Sequence, residues 1–99
     1  MIYIVWEFTV SAEQSAEFES AYKSDGRWAQ LFRRDSAYRE TILAHDSDQA
    51  QRYLTIDVWE DRDSYQRFKE RFAAEYRQID QECESLTSGE RLIGIFEKV

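Results

Sequence analysis

The segment Arg52-Tyr53-Leu54-Thr55-Ile56-Asp57-Val58-Trp59-Glu60 alternates between two kinds of side chain. One set of alternate positions holds two aromatic rings, a hydroxyl and a carboxylate: Tyr53, Thr55, Asp57 and Trp59. The other set is aliphatic: Leu54, Ile56 and Val58. Successive side chains of a strand point to opposite faces of its sheet, so the segment predicts a strand with unlike surroundings on its two sides. We expect the aliphatic face to lie in a dry core and the mixed face to line a cavity or a wet interface.

Hydrophobic patterning predicts the other elements of the 99-residue chain. They are strands at Ile2–Val10, Tyr38–His45 and Arg91–Glu97, helices at Ala12–Lys23 and Ser64–Leu86, and a short helical turn at Trp28–Arg34. The order strand, helix, strand, strand, helix, strand predicts an α+β fold, a ferredoxin-like βαββαβ sandwich. In that fold the sheet is antiparallel and both helices lie on one face. We expect residues 1–99 to form one domain.

The first, third and fourth predicted strands carry large apolar residues on both faces, whereas two helices can cover only one face of a sheet. In the first strand, for example, Ile2 and Ile4 share one face while Tyr3 and Val5 share the other. The uncovered face would expose an apolar patch larger than a soluble monomer normally carries. We therefore predict a homodimer in which two sheets pack face to face.

Composition argues against several classes of partner. The formal charge is -7, from 20 acidic and 13 basic residues, which should repel nucleic acid and anionic membranes. Cys83 is the only cysteine, so no intrachain disulfide can form, and we expect a cytoplasmic protein. The start, Met1–Glu7, lacks a basic region and reaches a carboxylate early, so it is predicted to be a strand and not a signal peptide. No apolar run approaches the ~20 residues that span a bilayer.

Two residues are candidates for acid–base chemistry. Asp57 lies on the mixed face of its strand, and a carboxylate half-buried in a cavity would have a raised pKa and could act as a general base on a phenol or enol. The alternative is a structural ion pair with Arg52 or Arg39. His45 is the only histidine, and the alternative to an acid–base role is an exposed position at the end of a strand. One histidine and one cysteine cannot build a usual zinc site, so no metal is expected.

Aromatic residues supply the candidate walls of a substrate pocket. Trp59 and Tyr53 share a strand face with Asp57 and could stack on a flat substrate or donate a hydrogen bond to it. The predicted substrate-binding set is Trp59, Tyr53, Trp28, Tyr38 and Tyr65. For each of them the alternative is a structural role in the core, with the ring buried and its polar edge exposed to water.

Four short motifs follow one another after the first strand: Leu31-Phe32-Arg33-Arg34, Tyr38-Arg39, Arg52-Tyr53-Leu54-Thr55, and Val58-Trp59-Glu60-Asp61 before Tyr65 and Phe68. This pattern resembles the antibiotic biosynthesis monooxygenase (ABM) family of dimeric α/β-barrel proteins. The resemblance implies a dimer with a pocket in each subunit between sheet and helices. Some members oxidise aromatic, polyketide-like substrates with molecular oxygen and without metal or flavin, and others degrade haem.

Two positions depart from the family pattern. Many members carry a histidine in the second helix shortly after the Trp-Glu pair, whereas Tyr65–Lys69 contains none. The haem-degrading branch uses such a histidine as its iron ligand, so haem is not expected here. The strand-one asparagine of several oxygenating members is also absent, and Glu7 is the nearest polar residue.

The resemblance therefore implies an enzyme without cofactor, a monooxygenase-like protein that acts on a small aromatic of phenol or quinol type. Its base would be Asp57 or His45. The alternative is a non-catalytic dimeric module of the same fold that binds a small hydrophobic molecule.

Overall fold

The computed structural model describes residues 1–99 as one four-stranded antiparallel sheet with helices packed on one face. The strands are β1 (Ile2–Thr9), β2 (Tyr38–His45), β3 (Arg52–Trp59) and β4 (Gly89–Glu97). The helices are α1 (Ser15–Tyr22), α2 (Arg27–Phe32), α3 (Arg62–Arg71) and α4 (Ala73–Cys83), and a 3₁₀ turn (Glu84–Leu86) follows α4. The strand order β2-β3-β1-β4 confirms the predicted α+β ferredoxin-like fold. None of the helices combines the length and apolarity needed to cross a bilayer.

The register of β3 turns its mixed face towards the helices. Tyr53 pairs with Phe8 and Trp59 pairs with Ile2, and all four side chains are buried in the core beneath the helices. Ile56 lies on the opposite face and is only half-buried. Within one protomer the expectation that the aliphatic face lies in a dry core is therefore met only at Val58, which is buried. The helices cover the aromatic face instead, because large rings remove more apolar area from water when they are buried.

Aromatic rings build most of this core. Phe18 from α1, Phe68 from α3 and Trp59 from β3 are completely buried. The Trp59 ring lies 5.0 Å from the Phe68 ring and 5.7 Å from that of Phe32, centroid to centroid, at inclined angles that suit the quadrupoles of aromatic rings. These contacts fix the helices against the sheet and so set the shape of the space between them.

The first helix begins three residues later than predicted. Residues 12–14 form a turn in which the Gln14 amide donates to the carbonyl of Ser11 at 3.0 Å, and α1 begins at Ser15. The shorter helix still buries Phe18 and Tyr22 against the sheet. The apolar spacing that predicted the helix is thus preserved, and only its polar beginning differs.

The predicted long helix from Ser64 to Leu86 is divided at Phe72. The backbone of Phe72 has φ -108° and ψ 30°, outside the helical region, and it separates α3 from α4. Hydrogen bonding continues through the kink, since the Phe72 amide still donates to the Phe68 carbonyl at 2.9 Å. No proline or glycine marks the position and the apolar spacing runs through it, so none of the usual sequence signs of a kink is present.

An apolar row crosses the face of the sheet that the helices leave open. Ile42 pairs with Ile56, and Ile56 pairs with Val5, so the three side chains lie side by side across three strands. Ile42 is 43% exposed, and Phe96 on β4 is 50% exposed. We call these four residues the open-face patch.

Candidate functional site

A cavity of about 170 Å³ lies between the covered face of the sheet and the helices. Its apolar wall consists of Trp6, Phe8, Tyr22, Trp28, Phe32, Tyr65 and Tyr76. Its polar wall consists of Thr41, Thr55, Asp57, Asp80 and Glu90. A space lined by aromatic rings with a few converging polar groups is the usual setting for a flat organic ligand. The chain contains no group of three or more His, Cys, Asp or Glu residues placed to hold a metal ion.

Asp57 is the carboxylate that the sheet contributes to the cavity. Thr41 lies opposite Asp57 in the β2–β3 pairing, and its Oγ1 donates a hydrogen bond to Asp57 Oδ1 at 2.7 Å. The hydroxyl of Tyr38 lies 2.7 Å from Thr41 Oγ1. Tyr38, Thr41 and Asp57 therefore form a short polar chain that orients the carboxylate at the cavity wall.

The arginines that could have neutralised Asp57 are engaged elsewhere. Arg52 pairs with Glu7 at 2.7 Å on the open side of the sheet. Arg39 pairs with Glu60 at 3.4 Å. The structural ion pair considered as an alternative for Asp57 is therefore not present.

The electrostatics of the cavity favour a weakly acidic Asp57. Burial raises the pKa of Asp57 to about 6, although the hydrogen bond from Thr41 lowers it in part. Such a group is mainly ionised at neutral pH and is a stronger base than an exposed carboxylate. Burial is also the main reason why the pKa values of Tyr65 and Tyr76 are raised, and the charge of Asp57 adds to both shifts. Both phenols therefore remain protonated at neutral pH.

Trp28 contributes its aromatic ring to the cavity wall, while its indole N–H is buried. Its side chain is 8% exposed, and its indole N–H is buried with no acceptor in hydrogen-bonding geometry. The ring lines the cavity and packs edge-on against Tyr76, with centroids 4.9 Å apart. The indole N–H has almost no accessible surface and lies near the Tyr22 hydroxyl and the Cys83 thiol, whose pKa values it lowers in part, so it is not exposed to the cavity.

Trp59 does not reach the cavity. It is fully buried at the end of β3, where the rings of Tyr38 and Phe68 lie 5.4 and 5.0 Å from its own. It also packs against Tyr65 at 5.4 Å, and Tyr65 is a cavity residue. The structure thus places Trp59 behind the wall, because the kinked helix pair covers the end of its strand.

Tyr53 and His45 lie away from the cavity, towards the other end of the strands. Their rings stack with centroids 4.2 Å apart and planes 4° apart. The Tyr53 hydroxyl donates to Glu19 at 2.5 Å, and His45 Nε2 lies 2.7 Å from the carbonyl oxygen of Ala50. Neither residue is among those that line the cavity. Asp57 lies four positions after Tyr53 along β3, a distance of about 13 Å in a strand.

Asp57, Trp28 and Tyr65 are the predicted site residues that meet at the cavity. Tyr38 does not line the cavity and is linked to Asp57 only through the hydroxyl of Thr41. The sequence interpretation did not include Asp80 or Glu90 in the site. The sequence could have indicated that Asp80 belongs to the site, since it lies four residues after Tyr76 and so on the same face of the helix. No sequence pattern could have indicated Glu90, because only the pairing of β4 with β1 brings it to the cavity.

Comparison with known proteins agrees with the observed fold. The model of the family described as antibiotic biosynthesis monooxygenase matches residues 1–79. A variant of SnoaB, a cofactor-independent oxygenase from Streptomyces nogalater, superposes with a TM-score of 0.79 at 26% sequence identity, covering 98% of this chain and 91% of that chain. A protein from Deinococcus radiodurans assigned to antibiotic biosynthesis monooxygenases gives a TM-score of 0.77 at 16% identity, covering 100% and 93%. No match was found among curated proteins.

Proposed function

Because the chain belongs to the antibiotic biosynthesis monooxygenase family, we propose that it is a cofactor-independent oxygenase of a small, flat, electron-rich aromatic substrate of phenol or quinol type. Monooxygenase-like chemistry is supported by the family and by the similarity to SnoaB. The observation that carries the finer proposal is Asp57, a carboxylate with a pKa raised to about 6 in an aromatic-walled cavity.

The first step of the proposed reaction is proton transfer to Asp57. A carboxylate near its pKa at working pH is an efficient general base towards a phenol or an enol. Removal of the proton leaves an electron-rich phenolate or enolate. The hydrogen bond from Thr41 holds Oδ1, so that Oδ2 is the oxygen left free to accept the proton.

The second step is the reaction of the anion with molecular oxygen. The nucleophilic carbon is oxidised and oxygen is reduced to a peroxide as a C–O bond forms, and Asp57 returns its proton to the peroxide. Elimination of water then breaks the O–O and C–H bonds and leaves a carbonyl group. One oxygen atom enters the product and the other leaves as water, so the substrate supplies all the electrons.

The rest of the cavity favours this chemistry by binding and by excluding water. The ring of Trp28 forms part of the apolar wall against which the substrate would pack. The ring of Tyr65 offers a stacking surface, and Trp59 supports that ring from behind. Exclusion of water from the reacting groups is a recognised source of rate enhancement.

The assembly proposed for this enzyme is a homodimer joined through the sheets. The open-face patch of Val5, Ile42, Ile56 and Phe96 has no covering element in the protomer. Packing against a second copy would remove its apolar area from water and give an interface that is the same on both subunits.

A non-catalytic binding role is the second candidate. The observation in its favour is that His45, the only histidine, stacks on Tyr53 outside the cavity, so Asp57 has no basic partner there. In that case the cavity would hold a hydrophobic molecule without changing it.

Oxygen uptake separates the two functions. Purified protein treated with a metal chelator would be mixed with a panel of hydroquinones and anthrones, and oxygen consumption compared with that of the substrate alone. Uptake above the background, with a carbonyl product, supports the oxygenase. Quenching of tryptophan fluorescence by the same compounds without uptake supports the binding module.

A further inference from the structure

The cavity is about the size of one aromatic ring. Its volume of about 170 Å³ is below the roughly 300–1,000 Å³ of most sites for drug-sized ligands. An apolar cavity of about 150 Å³ in another protein binds benzene. One phenol ring would therefore fill the space between the sheet and the helices, and a second fused ring would need room that the cavity does not have.

The space beyond the cavity does not suit a second ring. A recess of about 310 Å³ adjoins the cavity through the shared residues Tyr22, Asp80 and Glu90. Apart from Tyr22 and Cys83, its lining consists of polar residues and one glycine. An apolar ring that reached the recess would displace water from those polar groups without pairing them. Extension of the substrate in this direction is therefore unfavourable.

Trp6 forms the floor of the cavity next to the proposed base. In the pairing of β1 with β3, Ile4 lies opposite Asp57, and the next residue of β1 on the same face is Trp6. Trp6 is thus the diagonal neighbour of Asp57, and such neighbours lie about 7–8 Å apart, within reach of an aromatic side chain. Both residues line the cavity. A phenol whose hydroxyl contacts Asp57 would therefore have its ring beside the indole of Trp6.

The Trp6 ring keeps part of its surface outside the closed core. It stacks on Phe8, with ring centroids 6.4 Å apart and planes 29° apart, yet Trp6 is only half-buried. Trp59, in contrast, is fully buried among other rings. Since Trp6 lines the cavity, its free surface is available to a ligand there, whereas that of Trp59 is not.

A β-bulge lies directly beside Trp6. The pairing of β1 with β4 changes register between Val5 and Trp6, where β4 contains one extra residue, Ile93. Bulges bend a strand and redirect nearby side chains, and they are frequent next to active sites. The position of this bulge supports a specific role for the side chain of Trp6.

We propose that Trp6 is a specificity-determining residue that limits the substrate to a single aromatic ring. This inference rests on the proposed function, because it narrows the substrate class of the same site. A one-ring phenol would lie between the indole of Trp6 on the sheet and the rings of Trp28 and Tyr76 on the helices. In a fused two-ring phenol the second ring would meet either the indole of Trp6 or the polar recess.

Two neutral phenols that differ by one fused ring test the inference by binding alone. 4-Methylphenol and 2-naphthol would be titrated by isothermal calorimetry under nitrogen, so that neither compound is oxidised. In a cavity without a size limit the added ring buries more apolar area and binding becomes tighter. We expect the opposite order, with 2-naphthol at least about tenfold weaker than 4-methylphenol, because an overfilled cavity forces its walls apart.

Removal of the indole locates the limit. Trp6→Val deletes a fused two-ring side chain and introduces a residue that favours strands. This variant should bind 2-naphthol at least about threefold more tightly than 4-methylphenol, since the second ring gains the vacated space. The control Tyr3→Val removes an aromatic ring from the same strand, on the opposite face and outside the cavity, and should keep the native order.

Circular dichroism checks that the variants fold. If Trp6→Val is unfolded, the milder change Trp6→Phe decides the question, because the loss of one of the two fused rings should narrow the difference between the ligands.

Equal or tighter binding of 2-naphthol by the native protein would overturn the inference, as would failure of both phenols to bind. A native order that persists in folded Trp6→Val, or is unchanged in Trp6→Phe, would overturn the role of Trp6. Oxygen uptake plays no part in this assay, so failure here would leave the oxygenase proposal to its own test.

Discussion

Thr41 and Asp57 face each other across β2 and β3 and are joined by a hydrogen bond of 2.7 Å from Oγ1 to Oδ1. The bond favours the ionised carboxylate, so it lowers the pKa of Asp57 against the larger effect of burial, which raises it. Thr41 is thus a positioning residue that sets both the direction and the basicity of Asp57.

Replacement of Thr41 by valine should shift the pH dependence of turnover. Thr41→Val keeps the shape of the side chain but removes the donor, so the pKa of Asp57 should rise above about 6. The acidic limb of the profile of kcat/KM against pH should move to higher pH. The control is Tyr38→Phe, which removes the hydroxyl next to Thr41 but keeps the bond to Asp57. An unmoved profile in Thr41→Val would contradict the assignment of that limb to Asp57.

Asp57→Asn should stabilise the fold at pH 7. The pKa of Asp57 is raised from 3.8 to about 6 in the folded protein, so ionisation of this residue opposes folding. This destabilisation of the folded state is absent below pH 4, grows between pH 4 and 6, and is complete above pH 6. Removal of the charge should therefore raise the free energy of unfolding at pH 7 by on the order of 2 kcal/mol. Urea denaturation at pH 7 and pH 3.5 measures this, and the gain should vanish at the lower pH. Lower stability of the variant at pH 7 would show that the charge is not desolvated.

The contrast between Asp57 and Trp59 shows what the sequence could and could not predict. The alternation of β3 correctly placed both residues on one face of a strand. Which part of that face borders an empty space depends on where the helices pack, and this is set by long-range contacts such as that between Trp59 and Phe68. The kink at Phe72, which a continuous apolar stripe conceals, shapes the same region. Element order was therefore predictable, whereas the cavity wall was predicted only in part, at Asp57, Trp28 and Tyr65.

Two tryptophan substitutions test the placement of the rings. Trp59→Phe should lower the free energy of unfolding by about 1–2 kcal/mol, because it leaves a gap in a closed core. Its effect on KM should be small. Trp28→Phe should weaken the binding of phenols instead, because it removes part of the aromatic wall of the cavity. Chemical denaturation measures the stability of both variants, and ligand titration measures their binding of phenols. Weaker binding by Trp59→Phe than by Trp28→Phe would place Trp59 in the site.

A charge on the open face should separate the proposed dimer. Ile56 lies in the middle of the open-face patch, so Ile56→Glu would place a carboxylate in the interface without disturbing the covered core. Analytical ultracentrifugation should give about twice the chain mass of 11.9 kDa for the native protein and for the control Ile56→Val, and the chain mass for Ile56→Glu. Circular dichroism would check that the variant is folded. A native protein that sediments as a monomer would refute the sheet-to-sheet dimer.

The most direct test of the central claim is the rate of oxygen uptake by Asp57→Asn compared with native protein on the same hydroquinone or anthrone substrate. Both proteins would be treated with chelator and checked for the absence of flavin absorbance. We predict that the native protein consumes one oxygen molecule per carbonyl product, and that the variant, which remains folded and binds the substrate, loses at least about 100-fold in kcat because its base is gone. An unchanged kcat in the variant would remove Asp57 from the mechanism and contradict the account.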